Sequence, residues 1–147
     1  MEEAGYEHYE ISNFAKPGFR SRHNSSYWLG KKYLGIGPSA HSFDGSSRQW
    51  NIANNNIYIE SIRKGVIPCE KEILTPAQQV NEYIMTSLRT IEGLDWKRID
   101  DLMGHDLRVA SQKFIDRKFM IEEKDHLRLT RDGKLLADGI AAELFFE

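Results

Sequence analysis

"LTPAQQVNEYIMTSLRTIEGLD", Leu74 to Asp95, organises the second half of this chain. Thr75 is a suitable N-cap, Pro76 fits the first helical position, where no N–H is needed, and Gln78 stands where a capping box returns its hydrogen bond. A helix is predicted to start there. Val80, Tyr83, Ile84, Ser87, Leu88 and Ile91 recur at i, i+3 and i+4, so this face is predicted to be core, with Gly93 as the left-handed residue that ends the helix.

Toward the C-terminus, Asp95 is expected to cap a shorter helix with Trp96, Ile99 and Leu102 on one side and Gly104 beyond its end. Asp106 opens a third helix carrying Leu107, Ala110 and Phe114. The runs Phe119–Ile121 and Leu127–Leu129 flank the polar Glu122 to His126 and read as a hairpin. Thr130 caps a last helix, with Leu135, Leu136, Ile140 and Leu144 expected inward. Helix, helix, helix, hairpin, helix is a winged-helix-like order, an arrangement often used on DNA. Between Lys97 and Lys134, however, ten basic side chains face eight acidic ones. That is a weak footprint for a DNA reader, and no DNA partner is expected.

Toward the N-terminus the composition changes near Pro68-Cys69-Glu70, suggesting units of 1–68 and 69–147. Tyr6 to Ser12, "YEHYEIS", alternates as a strand should, and Lys32 to Ile36 is a second strand candidate running into a Gly-Pro turn. Asn54-Asn55-Asn56 marks the start of a short helix over Ile57 to Lys64 that Gly65 ends. Two strands do not make a self-sufficient sheet, so the first half reads as part of something larger. The fold class expected is α+β.

Composition narrows the function. The 147 residues are 40% hydrophobic and 29% charged, with a net charge of -2. Non-specific phosphate attraction is therefore disfavoured for the chain as a whole. No apolar run approaches the roughly 18 residues of a membrane helix, and Met1 to Gly5 has no signal-peptide character, so the expected location is cytoplasmic. The single cysteine, Cys69, is expected to be a half-buried thiol before a helix and excludes an internal disulfide.

Two stretches carry candidate chemistry. Gly35-Ile36-Gly37-Pro38-Ser39-Ala40 resembles a dinucleotide fingerprint, but Pro38 removes a backbone donor and His41-Ser42-Phe43 is no helix start, so a classical pyrophosphate site is excluded. Small residues there permit either a tight turn alone or the close approach of a flat ligand. Lys16 to Lys32 holds five basic residues and no acidic one, interleaved with Phe19, Tyr27 and Trp28. Such a loop suits a planar anion (nucleotide, porphyrin or single-stranded nucleic acid) or is simply a solvated basic loop. His23, His41 and His8 are the imidazoles a metal would choose, yet no HExxH pair or cysteine cluster joins them. Glu7 and Glu10 do not form a paired acid-base site on a strand.

"YEISNFAKPGFRSRHNSSYWLGKKYLGIGPSAHS" (9–42) resembles the end of the catalytic barrel in the oxygen-independent coproporphyrinogen III oxidase group of radical-SAM proteins. Residues 74–95 and "LRLTRDGKLLADGIAAELF" (127–145) are similar to that group's C-terminal domain. Within the group, His23-Asn24-Ser25-Ser26-Tyr27 resembles the HNxxY motif of the haem-chaperone branch. The resemblance implies a C-terminal remnant of a radical-SAM α/β barrel followed by a winged-helix-like domain. It implies S-adenosylmethionine and a four-iron four-sulfur cluster in the full-length protein, whose CxxxCxxC motif is absent here, so that the chain alone is expected to be inactive. Gly35, Gly37, Ala40 and His41 match the segment that lines the S-adenosylmethionine pocket. His23 and Tyr27 match the haem motif, with His23 the candidate iron ligand. Arg20, Arg22, Lys31 and Lys32 are candidates to meet propionates. The implied partners are haem or porphyrin, haem-accepting proteins and the missing N-terminal half of the barrel, with a homo-oligomer of the fragment as a further expectation. The branch alternatives are delivery of haem to acceptors and oxidative decarboxylation of coproporphyrinogen III.

Overall fold

The computed structural model describes residues 1–99 and 104–147. In chain order the elements are strands β1 (Glu7–Glu10) and β2 (Asn13–Ala15), helix α1 (Arg22–Trp28), strands β3 (His41–Phe43) and β4 (Ser47–Asn51), helix α2 (Asn55–Arg63), strand β5 (Cys69–Ile73) and helix α3 (Pro76–Ser87). There follow β6 (Leu94–Asp95), a 3₁₀ turn (Trp96–Arg98), α4 (Gly104–Asp116), β7 (Met120–Glu123), β8 (His126–Leu129), α5 (Arg131–Lys134) and α6 (Ala137–Glu143). They form two compact units, named by their place in the sequence: an outer one, residues 1–29 with 80–147, and a middle one, residues 30–79. This grouping differs from the division at 68/69 because Cys69–Ile73 pairs with β4, while the first 29 residues join the later helices.

The start of α3, its buried face and the β7–β8 hairpin follow the predicted pattern. At the start of α3, Gln78 N–H donates to Thr75 Oγ1 at 3.2 Å, and Thr75 N–H donates to Gln78 Oε1 at 2.8 Å, closing the capping box. Val80, Ile84 and Leu88 enter a core with Leu107, Phe114, Ile140 and Leu144. Strands β7 and β8 form the expected hairpin, and β6 adds a third strand on β8, with Leu94 opposite Leu127. That pairing explains Gly93 more fully than a helix cap does. Its φ is +73°, and a Cβ there would lie 2.5 Å from the Leu127 carbonyl oxygen.

Several expectations change. Asp95 caps a 3₁₀ turn over Trp96–Arg98, accepting from Lys97 N–H at 3.0 Å; Gly104 begins α4, and the rest of the expected helix, Leu102 included, lies outside the described residues. The last helix is broken. Thr130 caps α5, but Leu135 N–H and Leu136 N–H bond three residues back, to Asp132 and Gly133, before α6 begins. The break turns Leu135 (83% exposed) and Leu136 (48%) outward, while Ile140 and Leu144 are buried as expected.

In the middle unit the sheet has the order β3-β4-β5, all antiparallel. Lys32 to Ile36 is not a strand, because only Tyr33 pairs, exchanging backbone hydrogen bonds with Phe43 at 2.9 Å each way. Asn54 caps α2 as expected, accepting from Ile57 N–H at 3.1 Å. Cys69 is exposed on β5, not half-buried before a helix. Among the described residues no helix is long and apolar enough to cross a membrane.

Candidate functional site

The run from Lys16 to Lys32 contains a helix where a loop was expected. Ser21 has extended backbone and its hydroxyl accepts from Asn24 N–H at 3.2 Å, which starts α1 at Arg22. Spacing of four then puts His23 and Tyr27 on one face. Their rings meet edge-on, with centroids 5.1 Å apart and Tyr27 Oη 3.4 Å from His23 Nε2, and both are exposed. One imidazole nitrogen with a phenol beside it is a donor set that suits an axial iron position.

The cations that adjoin this helix in sequence differ in availability. Arg20 donates to both oxygens of Glu7, at 2.9 and 2.7 Å, and to Glu92. These hydrogen bonds hold the Glu7 carboxyl below its ordinary range and raise the Arg20 guanidinium further above its own. Arg20 is thus already matched by two carboxylates and is a poor candidate for a propionate. Arg22, Lys31 and Lys32 make no ion pair among the described residues. His8 has a structural role: its ring stacks on Phe14 at 4.2 Å, and Nε2–H donates to the Ile11 carbonyl at 2.9 Å.

Gly35, Gly37, Ala40 and His41 belong to the middle unit, whereas His23 and Tyr27 belong to the outer one. Asn51, at the end of β4, organises the glycine loop. Its Nδ2 donates to the Gly37 carbonyl at 2.9 Å and to the Gly35 carbonyl at 3.4 Å, while its backbone N–H donates to Ala40 at 2.9 Å. Gly37 has φ +107° and donates to Tyr58 Oη at 3.2 Å. A Cβ on Gly35 would lie 2.1 Å from the His41 carbonyl oxygen, so the loop closes on itself only with glycine there. Beside it is a cavity of about 500 Å³ lined in part by Ser39, His41, Trp50, Asn51, Ile52 and Cys69. Its size is within the range of small-ligand sites. Asn51 is 3% exposed, and its Oδ1 is buried without a hydrogen-bond partner among the described residues. Neither Asn51 nor Trp50 was marked by any sequence signal, because their roles depend on the pairing of polar strands.

Among the described residues no group of three or more His, Cys, Asp or Glu could hold a metal ion. The three cysteines of a CxxxCxxC motif are not available in a chain with one cysteine, so no chemistry of such a cluster can be assigned to these residues.

Residues 74–136 match the family model described as the HemN C-terminal domain. The chain is 34% identical over 145 residues to the heme chaperone HemW of Bacillus subtilis, covering 95% of this chain and 38% of that protein. It is 32% identical over 142 residues to heme chaperone HemW of Mycobacterium tuberculosis, covering 96% and 35%. The solved structure of coproporphyrinogen III oxidase (HemN) from Escherichia coli, a radical SAM enzyme, superimposes with a TM-score of 0.73 at 19% identity, over 98% of this chain and 38% of that one. The chain therefore spans less than two fifths of the length of these relatives. With 34% identity to a heme chaperone HemW and a HemN C-terminal domain at residues 74–136, the chain belongs to the HemN/HemW-like radical-SAM family, in which it corresponds to the C-terminal portion.

Proposed function

We propose that this chain is the haem-contacting C-terminal portion of a radical-SAM haem chaperone, with haem as cargo and His23 as the iron ligand. The observation that carries the reading is the pairing of an exposed imidazole with Tyr27 on one face of α1. The names of the curated relatives, heme chaperone HemW, agree with it. Arg22 is the remaining cation of the same unit for the propionates. Haem would pass from here to acceptor proteins.

The second part of the reading concerns the glycine loop. Gly35, Gly37, Ala40 and His41 would border the S-adenosylmethionine pocket of the complete protein, and the adjoining cavity with the unpartnered Asn51 Oδ1 favours a ligand that can donate a hydrogen bond there. The same reading makes residues 1–68 the end of a radical-SAM barrel and 69–147 a winged-helix-like domain that does not bind DNA. The cluster-bearing N-terminal half is then the natural partner of this chain, in a cytoplasmic protein, and without that half the fragment is prone to self-association.

Ferric haem added to the chain tests the proposal. A Soret shift in the parent that is lost in His23→Ala is the expected result; equal spectra for the two would remove His23 as ligand. Turnover of coproporphyrinogen III by the reconstituted full-length protein would make the chain part of an oxidase instead.

A further inference from the structure

The helix that bears His23 has seven residues and buries none of them, so its direction must be fixed from outside. Two contacts hold its N-terminal end: Ser21 N–H donates to Tyr9 Oη at 3.3 Å, and Asn24 Nδ2 donates to Asn13 Oδ1 at 3.2 Å. The C-terminal end is held differently. The Trp28 ring, one residue after Tyr27, lies against the Arg89 guanidinium, whose carbon is 5.2 Å from the ring centroid. Trp28 Nε1 is buried with no acceptor among the described residues, while the face of the indole meets the guanidinium. Arg89 is itself fixed, with Nε 2.9 Å from the buried Glu10 and Nη1 3.2 Å from Asp138.

We propose that Arg89 is a positioning residue for haem: acting through Trp28, it sets the last turn of α1 and so the direction in which His23 and Tyr27 are presented. The proposal rests on the reading of His23 as the iron ligand, and Arg89 touches no haem atom in it. Glu10 and Asp138 serve to hold the guanidinium where the ring can meet it.

The test titrates ferric haem into the 147-residue chain and follows the Soret band. Trp28→Leu removes the aromatic face but leaves the Glu10–Arg89 pair intact, and it is expected to weaken haem binding about two- to fivefold and to move the Soret maximum. Trp28→Phe restores a ring and is expected to recover both. Arg89→Met should match Trp28→Leu where it folds, and Trp28→Leu decides where it does not. If His23→Ala binds haem as the parent does, the underlying reading fails and the positioning role fails with it. If His23→Ala loses the shift while Trp28→Leu keeps the parent's affinity and spectrum, only the positioning role is overturned. A Trp28→Phe variant that stays as weak as Trp28→Leu also overturns it.

Discussion

Glu10 Oε1 lies 2.9 Å from Arg89 Nε, across 79 positions of sequence, and the carboxylate is completely buried. Its second oxygen accepts from Ser12 N–H at 2.9 Å and from the Asn13 amide. A buried charge with its hydrogen bonds met is tolerated, but removing one partner strands the other. Glu10→Ala is expected to lower unfolding stability by about 3 kcal/mol, read from urea denaturation at neutral pH. A change within experimental error would show that the pair contributes nothing.

The same carboxylate makes stability depend on pH. Burial by itself would raise the Glu10 pKa, but the hydrogen bonds from Asn13, Ser12 and Arg89 outweigh it and leave the pKa lowered. Glu7 is lowered as well, by Arg20. For groups depressed in the folded state, the stabilisation is fully present above the unfolded glutamate pKa of about 4.3 and is lost as pH falls through the folded value. The urea midpoint should therefore drop on going from pH 7 toward pH 3. Glu10→Gln should flatten part of that slope, with Glu7 supplying some of the remainder.

Two glycines in the C-terminal helices should respond oppositely to alanine. At Gly133 a Cβ would lie 1.9 Å from the Phe119 carbonyl oxygen, whereas at Gly139, inside α6, none of the described residues lies within 4 Å. Gly133→Ala is expected to cost about 1–3 kcal/mol or more. Gly139→Ala is expected to stabilise by about 0.4–1 kcal/mol, through the unfolded chain as much as the helix. Thermal melts of the two variants check both signs.

Leu135 and Ile84 make a second contrast. Ile84 is fully buried and Leu135 is 83% exposed. Ile84→Ala should cost about 2–5 kcal/mol. Leu135→Ala should stay within about 0.5 kcal/mol of the parent. Equal losses would mean that the last helix runs unbroken, with Leu135 inward.

Removing the cap of α3 gives a smaller effect. Thr75→Ala loses the hydroxyl that Gln78 N–H donates to, and denaturation should show a loss of about 1 kcal/mol.

Where a local signal was strong, the sequence was readable. Thr75, Pro76 and Gln78 announce α3, and a spacing of 3.6 marks its buried face. The sheet of the middle unit was not readable, because Ser47–Asn51 (SRQWN) and Cys69–Ile73 (CEKEI) are polar strands held by backbone pairing, with no apolar alternation to betray them. Leu135 and Leu136 misled because a helical period assumes an unbroken helix. At the candidate site, the interval from His23 to Tyr27 was visible, but the helix that gives it meaning starts on Ser21, in a run poor in helix formers. Arg89 could not be found from its neighbours, since its partners Glu10, Trp28 and Asp138 are all distant in sequence.

The outer unit takes its residues from both sides of the middle one, 1–29 before it and 80–147 after it. On the ribosome this imposes an order: the turn bearing His23 is made before residues 30–79, and Arg89 emerges only after them. Until then Trp28 lacks the guanidinium that meets its ring in the folded chain.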